Sequence, residues 1–228
     1  MSAFEIREKI VLYIGLVLSV TVHEFGHAIT AHKLGDDTPA RQGRVTLNPL
    51  AHMDPIGTVL APLAFLFLFP GGVFFGWGRP VEINPARFAR KVSMSVGDIL
   101  VSVAGPAMNV LMGVSLTVLL VGLIKGGMDP GSPILGAYKG TPVPFFGLRG
   151  IILLNFILAA FNLIPLPPLD GGHVIVDLMP YRHRNIADML SHYGIWILLA
   201  LMISGALGII LGPVVSGTEA WMHLVGAL

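Results

Sequence analysis

Apolar residues run through this chain in long stretches, and polar residues enter mainly as short blocks between them. Between Lys9 and Lys33 the sole charged residue is Glu24. At about 1.5 Å per residue that stretch is about 35 Å of helix, enough to cross the hydrocarbon layer of a bilayer. Arg7 and Lys9 ahead of the apolar run would suit a signal peptide. The helical pattern continues through Phe25, Ala28, Ile29 and Ala31 without an Ala-x-Ala site, so we read residues 10–34 as a retained span. Residues 35–55 carry Gly, Pro, Asp and Asn and read as an interfacial loop, with Arg44–Leu47 as a short strand candidate. The apolar run from Ile56 is broken by Pro62 and halted by Pro70-Gly71-Gly72, which is short for a crossing and fits a re-entrant or short span over 56–77. Residues 73–85 suit an extended edge or hairpin.

Three further spans are predicted. Residues 96–124 contain one charge, Asp98. Residues 148–178 are interrupted by the proline-rich Leu163–Gly172, and residues 193–212 lie in a charge-free stretch. The pattern predicts an all-α polytopic membrane protein of four to five transmembrane helices, with a re-entrant segment and a short β-hairpin or loop near its site. All of it forms a single domain over residues 1–228.

Composition narrows the chemistry. Of the 228 residues 54% are hydrophobic and 12% charged, about half the charged share of a soluble domain, which points to a lipid bilayer as solvent. A formal net charge of +1 offers no basic surface for nucleic acid. With no cysteine, any metal must be held by His, Asp or Glu.

Residues 23–27 read His-Glu-Phe-Gly-His. On a helix, positions i and i+4 share a face, so His23 and His27 can grip one divalent ion with Glu24 beside them. Two imidazoles, a carboxylate and an open position are what a catalytic Zn2+ needs to bring the pKa of bound water to about 7, with Glu24 as general base. An ionised Glu in an apolar span costs at least about 2.5–3.5 kcal/mol, so it marks function by default. The plainer reading is a hydrogen-bonded polar cluster or proton relay inside a bundle. The third ligand must come from another polar interruption, and Asp170 fits best: prolines break the helix before it, and Gly171 and Gly172 after it permit close approach. Alternatively Asp170 caps the helix from Gly171 to Leu178.

The histidine pair of residues 23–27 and the sequence Asn162-Leu-Ile-Pro-Leu-Pro-Pro-Leu-Asp-Gly-Gly172 together resemble the site-2 protease family of intramembrane zinc metalloproteases. Asn162, Pro165, Leu169, Asp170 and Gly171 keep the spacing of that family's Asn-Pro-Leu-Asp-Gly motif, and Gly105-Pro106-Ala107-Met108-Asn109 resembles its Gly-Pro-x-x-Asn motif. The loop over residues 43–58 resembles that of compact members, and no room remains for PDZ or CBS modules. The resemblance implies His23, His27 and Asp170 as zinc ligands and Glu24 as the catalytic residue. It also implies regulated intramembrane proteolysis: hydrolysis of a peptide bond in or near a transmembrane segment of a membrane-protein substrate.

Asn162 then orients substrate backbone or braces its loop, or else caps a helix; Asn109 is a supporting residue or an interhelical hydrogen bond. His52 and Asp54 suit loop anchoring, and His173 suits a partner of Asp170. If residues 56–77 are re-entrant, nine of the fourteen Lys and Arg lie on the side reached after the first span, which makes that side cytoplasmic and the site open to it, in a multi-pass cell-membrane protein. A metal-ion or proton-coupled transporter using the same His/Asp site is the alternative.

Overall fold

The computed structural model describes residues 3–68, 76–132, 134–135 and 147–227. Its regular elements are helical, and among the described residues there is no strand. Helix α1 runs Ala3–Lys33, followed by two short turns, α2 (Thr38–Arg41) and α3 (Pro49–His52). A π-helical turn, Pro55–Leu60, leads into α4 (Ala61–Leu68). Then come α5 (Met94–Lys125), α6 (Gly147–Asn162), α7 (Asp170–Leu178), α8 (Arg184–Ile203) and α9 (Ala206–Leu224).

Among the described residues three helices are long and apolar enough to cross a membrane: Ile6–Lys33, Met94–Lys125 and Arg184–Ile203. Their outward faces carry exposed Ile14, Leu18, Val118, Leu119, Trp196 and Ile203, a surface that lipid covers and water would not tolerate. The chain is therefore a multi-pass membrane protein. Helices α1, α5 and α6 pack against one another, α7 lies on α5, and α9 lies on α6. Small residues bring α1 and α5 together: Ala28 and Ala31 are fully buried, and a Cβ on Gly26 would stand 2.6 Å from the Ala104 carbonyl oxygen.

The third predicted span is two helices joined by residues 163–169. Pro165, Pro167 and Pro168 supply no amide hydrogens, so the helical ladder ends at Asn162 and restarts at Asp170. The connection is packed tightly. Leu166, Leu169 and Leu198 form its buried core, and a Cβ on Gly171 would lie 2.5 Å from the Leu163 carbonyl carbon. Gly194 of α8 sits so close to the Pro167 carbonyl that any Cβ would collide with it. Gly194→Ala is expected to cost about 1–3 kcal/mol of stability, read as a lower thermal midpoint.

The last predicted span, 193–212, is corrected. Helix α8 begins earlier, at Arg184, and the chain breaks at Ser204–Gly205, where Gly205 adopts φ 76°, before α9 carries on to Leu224. Hydropathy alone does not see a break that costs no charge, and Gly is the residue that takes a left-handed φ without strain.

The strand expected at Arg44–Leu47 is also absent. The Thr46 N–H donates to the Arg44 carbonyl at 2.9 Å, and buried Arg44 and His52 fold the loop onto itself: Arg44 donates to the Ala51 carbonyl, and His52 Nε2 lies 2.8 Å from the Thr46 carbonyl. Asp54 caps the π-helical turn, accepting from Ile56 N–H at 3.0 Å and Gly57 N–H at 2.6 Å. These are the loop-anchoring roles expected of His52 and Asp54. Residues 76–84 run without regular structure beside this loop; the rest of the expected re-entrant tip and hairpin, residues 69–75, lies outside the described residues.

Candidate metal centre

One turn of α1 separates His23 from His27, and both side chains are buried, 8% and 9% exposed. Their Nε2 atoms stand 3.1 Å apart. Asp170, the first residue of α7, completes the group: its Oδ2 lies 3.2 Å from His23 Nε2 and its Oδ1 3.5 Å from His27 Nε2. Helix α7 has no side-chain cap, so the carboxylate is spent on the histidines and not on its own helix terminus.

The tautomers follow from the partners of the opposite ring nitrogens. His27 Nδ1 lies 2.7 Å from the Val101 carbonyl of α5, a group that only accepts, so Nδ1 carries the hydrogen. His23 Nδ1 lies 2.7 Å from Asn109 Oδ1 and is likewise the donor. Both Nε2 atoms then present lone pairs, facing each other and an aspartate. Asp170 Oδ2 is buried and has no hydrogen-bond partner. Three acceptors packed together without a hydrogen among them repel unless a cation sits between them. Their spacing suits zinc, because ligand atoms about 2.0–2.2 Å from a tetrahedral ion stand roughly 3.3–3.6 Å apart. His23, His27 and Asp170 could hold one metal ion, and among the described residues they are the one such group.

Glycine makes room for the pair. Gly105 of α5 lies against both rings, where an added Cβ would stand 2.5 Å from His27 Cε1 and 2.8 Å from His23 Cε1. Gly105→Ala is expected to weaken zinc binding by about tenfold or more while circular dichroism keeps its helical signal, because the methyl group displaces the two imidazoles and not the fold.

The centre opens on a cavity of about 930 Å³, at the upper end of ligand-pocket sizes. Glu24, Asn162, Ser102, Asp98 and His173 supply its polar wall, and Val20, Val101, Phe161 and Leu198 are among its apolar lining. Glu24 reaches the cavity beside the 76–84 segment, where a Cβ on Gly78 would stand 3.1 Å from Glu24 Oε1. Asn162 lines the cavity while its Nδ2 donates back to the Leu158 carbonyl, one turn earlier in α6, at 2.9 Å. His173 is on the cavity wall and makes no hydrogen bond to Asp170, unlike the expectation of a partner. Sequence reasoning missed Asn155 and Ser19 behind Asn109, although the rule that singled out Glu24, a polar residue in an apolar helix, applies to Asn155 as well.

The family model described as Peptidase family M50 matches residues 137–204. A protein of Bacillus subtilis named "Putative zinc metalloprotease YwhC" is 38% identical over 218 residues, 95% of this chain and 91% of that one. This chain belongs to peptidase family M50, the site-2 protease family. The M50 assignment makes it a zinc metalloprotease. Rip2 of Mycolicibacterium smegmatis is 33% identical over 87% of this chain and 68% of its own length. Zinc metalloprotease MJ0392 of Methanocaldococcus jannaschii is 25% identical over 86% of this chain, which spans 43% of that longer protein. No solved structure matches.

Proposed function

We propose that this M50 member is an intramembrane endopeptidase that cuts a peptide bond within or near a transmembrane segment of other membrane proteins. The observation that carries the reading is the convergence of three lone-pair donors, buried His23 and His27 and half-buried Asp170, at the wall of a large cavity between apolar helices. In this reading residues 1–228 act as one membrane-embedded domain of four to five spans, in which Pro55–Leu68 enters the bilayer without crossing it. The site opens to the cytoplasmic side, where nine of the fourteen Lys and Arg gather.

His23, His27 and Asp170 would hold zinc, which supplies Lewis-acid activation of water and of the scissile carbonyl near neutral pH. Glu24 takes the proton from the attacking water through its carboxylate and returns it to the departing amine. Asn109 holds His23 in its Nδ1–H form, and Asn162 offers its free amide oxygen to substrate backbone.

A helix cannot be cut while its carbonyls are engaged in its own ladder, so the substrate must be extended at the site. Residues 76–84 suit it as a template for strand addition. The Trp77 N–H donates to the Gly57 carbonyl at 3.0 Å and its carbonyl accepts from Thr58 Oγ1 at 2.7 Å. Arg79 N–H donates to the His52 carbonyl at 2.8 Å. With residues 77 and 79 held along one edge, the alternation of an extended backbone directs the amide and carbonyl of Gly78 to the other, beside Glu24.

The test is reconstitution in lipid with a transmembrane peptide carrying a Gly-Pro pair at mid-span. Stripping zinc with a chelator is expected to abolish cleavage and re-adding zinc to restore it. An uninterrupted leucine helix should be cut at least about tenfold more slowly. Cleavage that survives the chelator overturns the reading.

A further inference from the structure

The hydrogen-bond chain that starts at His23 does not end at Asn109. Asn109 is fully buried on α5, and its Nδ2 donates to the Ser19 carbonyl and to Asn155 Oδ1, each at 3.0 Å. Asn155 is fully buried on α6, and its own Nδ2 donates to the Ile151 carbonyl and to Ser19 Oγ, each at 2.9 Å. Ser19 Oγ–H donates in turn to the Gly15 carbonyl at 2.7 Å.

Every hydrogen in this chain points the same way, because it terminates on the carbonyls of Ile151, Ser19 and Gly15, which can only accept. The two amides are thereby fixed. Turning Asn109 over would set its oxygen against the Ser19 carbonyl and Asn155 Oδ1, two acceptor–acceptor contacts between fully buried side chains. Turning Asn155 over would set its oxygen against the Ile151 carbonyl and its NH2 against that of Asn109. The Oδ1 of Asn109 therefore faces His23, and the hydrogen of His23 stays on Nδ1.

We propose that Asn155, clamped by Ser19, is a positioning residue of the metal centre: from a third helix it sets the orientation of the Asn109 amide, and through it the tautomer that aims His23 Nε2 at the ion. This rests on the reading of His23 as a zinc ligand. A purely packing role for Asn155 would be met by any side chain of its volume, whereas the relay needs an acceptor opposite Asn109 Nδ2. Leucine fills the space without one; aspartate keeps one in either protonation state.

The experiment compares wild type, Asn155→Leu and Asn155→Asp in lipid nanodiscs by zinc Kd from chelator competition, with 15N-histidine NMR of the metal-stripped proteins. Asn155→Leu is expected to weaken zinc about 10–100-fold and to show His23 as a mixture of tautomers, and Asn155→Asp to stay within about threefold of wild type with His23 as Nδ1–H. A wild-type Kd in Asn155→Leu, or a Kd in Asn155→Asp as weak as that of the leucine variant, overturns the relay. Should Asn155→Leu not fold, the stripped wild type and Asn155→Asp decide: a hydrogen on Nε2 of His23 in the wild type overturns it, and Nδ1–H in both supports it. Failure of the underlying reading looks different, since wild type itself would then bind no zinc.

Discussion

Glu24→Gln is expected to leave zinc in place and to stop peptide hydrolysis. Glu24 follows His23 on α1 but is not one of the three clustered donors; its carboxylate turns to the cavity beside Gly78. Glutamine preserves its volume and one oxygen, so the ligands and the packing of α1 stay where they are. What disappears is a group that can take a proton from water and give it up again. Positioned general acid–base catalysis is worth about 10²–10⁴ in rate, and since Glu24 would serve both half-steps the loss should lie toward the upper end. Single-turnover cleavage of a transmembrane peptide, with metal analysis of the same sample, reads both quantities. A variant that cuts at the wild-type rate removes Glu24 from the chemistry. A transporter built on the same His/Asp site would separate clearly: its wild type would move ions across vesicles and never cut a peptide.

Asp170→Asn is expected to empty the site and to relax what is left. The carboxylate supplies the negative charge of the three-donor group, and its Oδ2 is buried beside a histidine lone pair with no hydrogen to share. An asparagine in the same place turns one oxygen into an NH2, which can donate to the facing Nε2 and close the gap with a hydrogen bond. The loss of a charged ligand should weaken zinc beyond the roughly 10–100-fold that an outer partner commands. The stripped variant should also be more stable than stripped wild type by about 1–3 kcal/mol, the cost of a buried acceptor left unpaired. Zinc content by mass spectrometry and thermal midpoints after chelation test the two halves together. Equal zinc in Asp170→Asn, His23→Ala and wild type removes the metal site altogether.

The residues of the candidate centre stood out in the sequence because they break a rule. Glu24 and its flanking histidines stand in a span where charge is costly, and Asp170 follows prolines that cannot continue a helix, so the pattern of apolar residues points at them by contrast. The long helices were legible for the complementary reason: Met94–Lys125 needs only an unbroken apolar run between polar ends. The joint at Ser204–Gly205 was not, since a turn made of small uncharged residues leaves hydropathy unchanged. Arg44–Leu47 looked like a strand because alternation is all that four residues can display, and its fate was settled by the side chains of Arg44 and His52 reaching back to the loop's own carbonyls.

By itself, then, the order of residues determined a helical membrane protein with a histidine pair, an acid beside it and an aspartate nearly 150 positions further on. Only the tertiary structure decided that α7 starts where Asp170 meets both rings, that Gly105 leaves space for them, and that amides from two other helices are hydrogen-bonded in series behind His23. The physical reason is range: burial preference and helix period act between neighbours, whereas the direction of a hydrogen bond depends on which carbonyl another helix happens to bring near.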